Sequence, residues 1–283
     1  MKPTNLLFVM AICSIAFITS CKKNNTASTA DEIETTFDLS GKQAIADNLT
    51  QDDNDVLDEV TATSSLNGSY ALGPITVNNV LGACAVVTIT GNFPTKNISI
   101  DFGSGCTNTF GVTRKGIINI VMTDSLRKSG SISTVTFNNY YINGFKKEGT
   151  ITWTNTTVVG SGIPSWNRKV VNGKITAPNV DFWLHSADIN ISMTAGANTP
   201  NNLTDDIFSI SGTRTATNPA GNTRTSTTLT ALQKKASCSN IDQGTLQVQG
   251  PNHVAVIDFG NGSCDNLATI SIDGRTPRTI ILR

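Results

Sequence analysis

The sequence predicts an all-β fold, a large and mostly antiparallel meander preceded by a short acidic helix. From residue 63 onward, short runs alternate Ile, Val, Trp or Phe with Thr, Ser or Asn, and Gly, Asn, Pro or Ser separates the runs. This alternation places one face of each strand on a core and the other in water. No run beyond residue 62 has a helical period. The pattern fits a curved sheet, a sandwich or a barrel-like closure equally well.

We expect about fifteen short strands, because the β-rich part of the chain is long enough to form one domain with a sizeable core. The clearest predicted strands are 75–80, 85–91, 116–123, 133–144, 149–155, 173–177, 180–186, 188–194, 206–212, 244–250, 267–273 and 279–283.

The predicted helix precedes this region. Between Lys42 and Val60, apolar residues recur at spacings of 4, 7 and 4, which suits one face of a helix, and a break near Asp52 and Asp53 is compatible with the pattern. These apolar residues are Ile45, Leu49, Val56 and Val60.

Charge is divided unevenly along a chain that is neutral as a whole. Residues 31–60 hold ten acidic side chains and one basic, whereas residues 61–283 hold eleven acidic and seventeen basic. The two parts therefore attract each other. One interpretation is a solvated acidic helix that lies on the β domain, and the other is an arm that docks a basic partner.

The first residues resemble a lipoprotein leader. Lys2 is followed by an apolar run, Leu6 to Ile18, which is too short to span a bilayer and fits a secretory signal. Ser20 then precedes Cys21, as in a bacterial lipobox, which implies that Cys21 becomes the acylated first residue. The alternative is an ordinary signal peptide cut near Ser20. No later segment is expected to cross a membrane.

The predicted organisation has four parts. A lipoprotein signal peptide occupies residues 1–20 and a flexible tether residues 21–40. An acidic helical segment follows at 41–62, and a β-rich domain at 63–283 carries two disulfide-stapled hairpins.

The disulfide prediction rests on a repeated motif. Asp-Phe-Gly-x-Gly-(x)-Cys occurs at 101–106 and again at 258–264. Besides Cys13 and Cys21 the chain has four cysteines, and an even number in an exported chain indicates disulfides. Hairpin geometry favours Cys84–Cys106 and Cys238–Cys264. The two crossed pairings remain open.

The hairpin argument also fixes an expected register. If Cys238 faces Cys264, Leu246 faces Val256 and Val248 faces Val254, with a loop at Gly250-Pro251-Asn252. The first copy pairs Ile89 with Asp101 and needs a one-residue bulge at Gly103 or Gly105 to restore its apolar face.

The aspartates of the motif have a structural interpretation. Asp101 and Asp258 are expected to accept backbone N–H groups of the glycine turns that follow them, as Asp does in Asx turns. A kinase-like role in binding magnesium lacks the phosphate-cradling loop and the catalytic segment that accompany it. The second copy also offers weak calcium candidates in Asp258, Asn261 and Asp265, although turn chemistry explains the same composition.

No catalytic constellation is recognisable. His185 lies on a predicted strand and His253 in a hairpin loop, with neither in a metal-binding spacing, and the adjacent Asp205 and Asp206 fit a loop start better than a pair of catalytic acids. Most large aromatic residues are expected in the core, although Tyr140 and Tyr141 point in opposite directions. We therefore predict a protein that is not an enzyme and has no cofactor. The scattered basic residues argue against nucleic acid.

Four segments carry a family resemblance: the lipobox, "IDFGSGCTNTFGVTRKGIINI", "GNTRTSTTLTALQKKASC" and "VIDFGNGSCDNLATISIDG". Together they resemble an uncharacterised lipoprotein family of Bacteroidetes-type Gram-negative bacteria. The resemblance implies export and membrane anchoring through Cys21, and Lys22 is compatible with sorting to the outer membrane. The expected function is a lipid-anchored scaffold or binding protein for a protein, glycan or lipid ligand. The alternatives are a carrier of apolar ligands in a curved sheet, or a glycan-binding protein or glycan-acting enzyme.

Overall fold

The computed structural model describes residues 29–66 and 75–282, and within them one sheet of fourteen strands curves around one long helix. The helix, α1, is Thr29–Thr63. The strands are β1 Val86–Thr90, β2 Lys96–Asp101, β3 Cys106–Thr107, β4 Thr113–Met122, β5 Ile132–Ile142, β6 Phe145–Asn155, β7 Ser165–Thr176, β8 Phe182–Ala195, β9 Ile207–Thr217, β10 Thr223–Lys235, β11 Gln243–Gln249, β12 Val254–Asn261, β13 Leu267–Ile272 and β14 Arg278–Ile281. A 3-10 turn, Leu203–Asp205, precedes β9.

The strands follow one another as a meander. Each main strand pairs antiparallel with its neighbours in chain order from β1 to β14, and the short β3 pairs only with β4. No pairing between β1 and β14 occurs in the described part of the chain, so the sheet is curved and unclosed. The predicted fold class, all-β and mostly antiparallel with an N-terminal helix, is confirmed.

Irregular positions inside the strands bend the sheet around the helix. The register shifts at Gly116 in β4 and at Gly149 in β6. Gly116 has a φ of 80°, and a Cβ there would lie 2.1 Å from the backbone oxygen of Asn139 on β5. Gly149 has a φ of 116°, and a Cβ there would lie 2.7 Å from the backbone oxygen of Asn172 on β7. Only glycine fits such close approaches, and bulges of this kind increase strand bending and twist.

Helix α1 lies in the hollow of the sheet. Almost every side chain from Gln43 to Ala62 is buried, including Leu49, Val56 and Val60, which have no measurable exposure. A solvated helix was the expected arrangement, and that expectation is wrong. Between residues 43 and 62 the acidic helix is buried on nearly every side, because its polar side chains find partners on the inner face of the sheet.

The helix also differs from the prediction in its length. It begins at Thr29, so residues 29–40, expected as flexible tether, form its first turns, and it runs unbroken through Asp52 and Asp53. Its first part is held by Glu32, whose carboxylate accepts the backbone N–H of Asn252 at 2.6 Å and that of His253 at 3.2 Å in the β11–β12 loop. Among the residues that the structure describes, no helix is both long enough and apolar enough to cross a membrane.

Several predicted strands need correction. Residues 75–80 form only an isolated bridge, between Thr76 and Asn202. The segments 180–186 and 188–194 belong to one strand, β8, and the threonine-rich β10 was not among the predicted strands.

The registers of both hairpins also differ from the prediction. Leu246 faces Ile257 rather than Val256, and Val248 faces Ala255 rather than Val254. In the first copy Ile89 faces Ile98 rather than Asp101. In the second copy a bulge between Gln243 and Thr245 shifts the register, and in the first copy the turn at residues 102–105 separates β2 from Cys106, so neither register can be counted inward from the cysteines.

Candidate functional site

The inner face of the sheet carries a row of cationic side chains. Each one occupies a position whose neighbours along the strand point outward, so that strand alternation directs it at the helix. All five side chains have an exposure of 2 % or less. They are Arg114 on β4, Lys147 on β6, Arg168 on β7, Arg214 on β9 and Lys234 on β10.

Four of these cations form ion pairs with aspartates of α1. Arg214 Nε lies 2.9 Å from Asp47 Oδ1, and Lys234 Nζ lies 2.6 Å from Asp55 Oδ2. The other two pairs, which are also hydrogen-bonded, are Arg114 with Asp52 and Lys147 with Asp53. The uneven division of charge along the sequence therefore reflects an acidic helix that pairs with cations on the inner face of the sheet.

Burial and pairing act against each other in these groups. Burial alone would lower the pKa of Arg114, but the Asp52 carboxylate raises that pKa above its ordinary value. For Lys147 and Asp53, burial outweighs the pairing, so the pKa of Lys147 is lowered and that of Asp53 is raised. The pairs hold the helix in one register, since removing one partner would leave a charge in a dry interior.

Arg168 is the exception among the five cations. Its Nη1 donates to Gln51 Oε1 at 3.1 Å and to the Thr50 backbone oxygen at 3.5 Å, and its guanidinium lies 5.1 Å from the ring of Trp153. No carboxylate hydrogen-bonds to Arg168 within the described residues. Burial lowers the pKa of Arg168 to about 10.

A second cluster lies near the carboxyl end of α1. Arg127, in the β4–β5 connection, has its Nη2 3.5 Å from Asp206 Oδ2, and its charge also acts on Asp58 of the helix. Burial raises the pKa of both aspartates, that of Asp206 to about 8, and the charge of Asp58 adds to the effect on Asp206. Two buried carboxyl groups thus share one guanidinium.

The repeated cysteine motif is a turn and a disulfide in both copies. Cys84 is bonded to Cys106 and Cys238 to Cys264, with Cα–Cα distances of 5.6 and 5.5 Å. Asp101 Oδ1 accepts the N–H of Gly103 at 2.7 Å, and Asp258 Oδ1 accepts that of Gly260 at 2.9 Å. The intervening phenylalanines, Phe102 and Phe259, are buried in the core. The predicted Asx turns are present.

The weak calcium candidates are used by local turns. Asp258 accepts the Gly260 N–H, Asn261 Oδ1 accepts the Ser263 hydroxyl at 3.0 Å, and Asp265 Oδ1 accepts the Leu267 N–H at 2.9 Å. Within residues 29–66 and 75–282 no three His, Cys, Asp or Glu side chains come together as a metal site.

The two histidines lie apart. His185 is buried beside Lys147 and Arg168, and burial followed by those two charges lowers its pKa to about 3, so it is neutral at physiological pH. His253 Nδ1 lies 2.6 Å from Asp273 Oδ2 in the surface loops near the start of α1. The structure brings neither ring to a hydroxyl or thiol nucleophile in the described region.

The remaining candidates behave as core or turn residues. All three tryptophans and Tyr140 are buried, whereas Tyr141 is half-buried, with Lys115 Nζ 4.0 Å from its ring centre. Asp205 is exposed and accepts the Thr199 hydroxyl, while Asp206 is buried. Cys21, the predicted lipidation site, lies outside the described residues.

The outer face of the sheet carries two adjoining grooves. The larger, of about 450 Å³, crosses β6 to β9 over the register shift at Asn172–Gly173, and the smaller, of about 260 Å³, shares Ser186 and Thr215 with it. Leu184, on the larger groove, is 48 % exposed. Other side chains along the two grooves are Glu148, Lys174, Thr217, Lys169 and Asp188.

The fold and site define a protein whose curved β-sheet encloses an acidic helix, with buried ion pairs between the sheet and the helix. No protein-family model, curated protein or solved structure matches the chain. The interior cations were missed at the sequence level because they look scattered along the chain. Strand alternation could have revealed them. Arg114, Arg168 and Arg214 occupy the alternate positions of their strands that the buried apolar residues also occupy, so their side chains point inward.

Proposed function

We propose that the protein is a non-catalytic, lipid-anchored scaffold or binding protein of the outer membrane, held by acyl chains on Cys21 and presenting the outer face of its sheet to a partner. The observation that carries this proposal is the placement of α1. The helix fills the inner face of the sheet, which leaves the outer face for recognition.

The distance between anchor and helix supports the same arrangement. Cys21 precedes Thr29 by eight residues, and an extended chain of that length spans at most about 29 Å. An acyl anchor on Cys21 would thus be connected by a short segment to α1, which is ion-paired to the sheet in the core. Force on the anchor would be resisted by the whole fold rather than by a surface loop.

The anchor can be tested by metabolic labelling with an alkyne analogue of palmitate. We expect the wild-type protein to incorporate label and to fractionate with outer membranes. The variant Cys21→Ser should lose the label and leave the membrane fraction, whereas the matched variant Cys13→Ser should keep both properties. Label that persists in Cys21→Ser, or an unlabelled and soluble wild type, would contradict the proposal.

Glycan binding is the second candidate function, and the outer grooves favour it. Hydroxyl, carboxylate and ammonium groups lie beside the exposed Leu184, a combination that suits the polar and C–H faces of a sugar. We expect binding to an envelope-polysaccharide array that Thr215→Arg abolishes and Ser271→Arg, on the outer face of β13, preserves. An array without binding would remove this candidate.

The third expectation, a carrier of apolar ligands, has less support. Such a carrier needs a continuous apolar hollow, whereas α1 occupies the hollow of this sheet and meets it through charged groups.

A further inference from the structure

The sheet ends in two edge strands, β1 and β14, and only β14 carries features that block further pairing. It directly follows Pro277 and begins with Arg278, and proline and charge are common means by which native sheets protect their edges. In contrast, β1 reads Val-Val-Thr-Ile-Thr, with no charge, no proline and no bulge in its ladder with β2. All five of its residues are exposed. The β1 edge is therefore an open template for another strand.

The free side of β1 has unpaired backbone groups and uncovered apolar side chains. Apart from its ladder with β2, β1 makes no backbone hydrogen bond to any described residue. Val87 lies opposite Ile100 of β2, and Ile89 lies opposite Ile98. Both β2 side chains are buried on the inner face, whereas Val87 and Ile89 remain 36 % and 37 % exposed. The apolar inner face of the sheet thus continues to this edge and is left uncovered there.

The direction of the strands explains why the other edge of the same sheet does not cover β1. Because β3 lies off the main path, thirteen strands follow one another along it, and each pairing on the path is antiparallel. With an odd number of strands the first and the last run in the same direction, so β1 and β14 could meet only as a parallel pair, which is slightly less stable per residue. An antiparallel continuation at β1 therefore needs a strand from outside this sheet.

The sequence of β1 is complementary to itself. If two copies of the strand pair antiparallel about Thr88, Val87 of each copy faces Ile89 of the other, and Val86 faces Thr90. The inner face then gains a row of apolar, β-branched pairs, which are favourable cross-strand neighbours, and no charge is brought into the ribbon. Pairing of one surface with itself about a twofold axis is also the commonest symmetry of protein homo-oligomers.

We propose that β1 is a homodimerisation edge, which pairs with β1 of a second copy of this chain across a twofold axis at Thr88 and joins two curved sheets into one. Cys84, two residues before the strand, is bonded to Cys106, and this crosslink holds the start of β1 in place. An edge that is ordered before binding loses little conformational freedom on pairing. A ribbon of five residue pairs is smaller than a stable interface of about 1,200 Å² requires, so the dimer is weak and reversible, and a covalent trap is the suitable readout.

The first test traps the pair at its axis. Thr88 faces its own counterpart in the dimer, at a Cα–Cα distance of about 4.5–5.5 Å that a disulfide can bridge. In protein purified from the cell envelope and oxidised with copper phenanthroline, we expect Thr88→Cys to form a covalent dimer and the wild type to stay monomeric. Thr279→Cys, at an outward position of the other edge strand, is the matched control and should stay monomeric. The absence of a dimer in Thr88→Cys, or an equal yield from both variants, would overturn the proposal.

A second pair of variants separates edge pairing from random collision. Added to Thr88→Cys, Ile89→Lys places a charge opposite Val87 of the second copy, and we expect the yield of covalent dimer to fall about tenfold. Ile281→Lys changes an isoleucine that is 62 % exposed on the other edge strand and should leave the yield unchanged. An undiminished yield with Ile89→Lys, or an equal loss with Ile281→Lys, would refute pairing through β1.

Discussion

Asp206 is a buried residue whose side chain has one long ion-pair contact, to Arg127. Its side chain is 1 % exposed, its Oδ2 is 3.5 Å from Arg127, and its Oδ1 has no hydrogen-bond partner in the described part of the chain. Burial raises its pKa to about 8, with a further contribution from the charge of Asp58. Asp206 is therefore largely protonated at neutral pH in the folded state and ionised in the unfolded state.

This difference predicts a pH dependence of stability. The folded-state pKa lies above the unfolded value, so the stabilisation is fully present below about pH 4 and is lost as pH rises through about 8. Between pH 5 and pH 8.5 the free energy of unfolding should fall by on the order of 2–5 kcal/mol from this group. Asp206→Asn should remove most of that fall, as measured by urea unfolding at the two pH values.

Asp205→Asn is the matched control, because Asp205 is exposed and precedes Asp206 directly. Its unfolding free energy should change with pH as the wild type does. If Asp206→Asn shows the full wild-type fall in stability, Asp206 is not the group that titrates.

Residues whose roles are local were the ones that the sequence could predict. The Asx turns of Asp101 and Asp258 and the partners of all four cysteines depend on neighbours within a few residues or on a simple hairpin. The partners of Arg114 and Arg168 are more than sixty residues away on the helix. They depend on strand parity together with the docking of α1, and no short motif encodes that combination.

At the level of elements, α1 combines apolar packing with specific charges. Leu49, Val56 and Val60 supply buried apolar surface, each worth about 1.5–3 kcal/mol. The ion pairs contribute less net energy, because desolvation offsets much of their attraction, but they penalise any other register. The Asp47–Arg214 pair is suited to measuring this coupling.

A double-mutant cycle on Asp47→Asn and Arg214→Met should be strongly non-additive. Each single change leaves a buried charge without its partner and should cost about 3–5 kcal/mol, whereas the double variant should cost less than the sum of the two. The exposed pair Lys169–Asp188 is the control and should couple by less than about 1 kcal/mol. Denaturant unfolding measures all of these changes, and additivity within about 0.5 kcal/mol at Asp47–Arg214 would contradict a specific pair.

The sequence predicted that this helix exists but not its extent. Residues 29–40 are mostly polar and acidic and were interpreted as a tether, although Ile33 and Phe37 lie four residues apart, as on one face of a helix. What makes it helical is tertiary contact, such as Glu32 with the β11–β12 loop and Arg224 Nε with the Thr36 hydroxyl at 2.9 Å. The predicted register of the second hairpin was wrong because a bulge at Gln243–Thr245 moves the pairing off the count from the cysteines.

At the scale of the whole molecule, the chain has no net charge and folds with its acidic helix, α1, enclosed by the more basic β-sheet. The curvature of the sheet, set by bulges such as those at Gly116 and Gly149, makes a hollow that α1 fills. Sequence composition predicted the β class, because alternation is a local property. Curvature and closure depend on bulges summed across many strands, so they could not be predicted from any one segment.

The central claim is that α1 belongs to the cooperative core. Native-state hydrogen exchange measured by mass spectrometry tests it most directly, because it reports the opening free energy of each segment. We predict that the amides of residues 43–62 exchange as slowly as those of β7 to β9, and that both open only with global unfolding. Exchange of the helix amides orders of magnitude faster than that of the strands would contradict a buried, ion-paired helix.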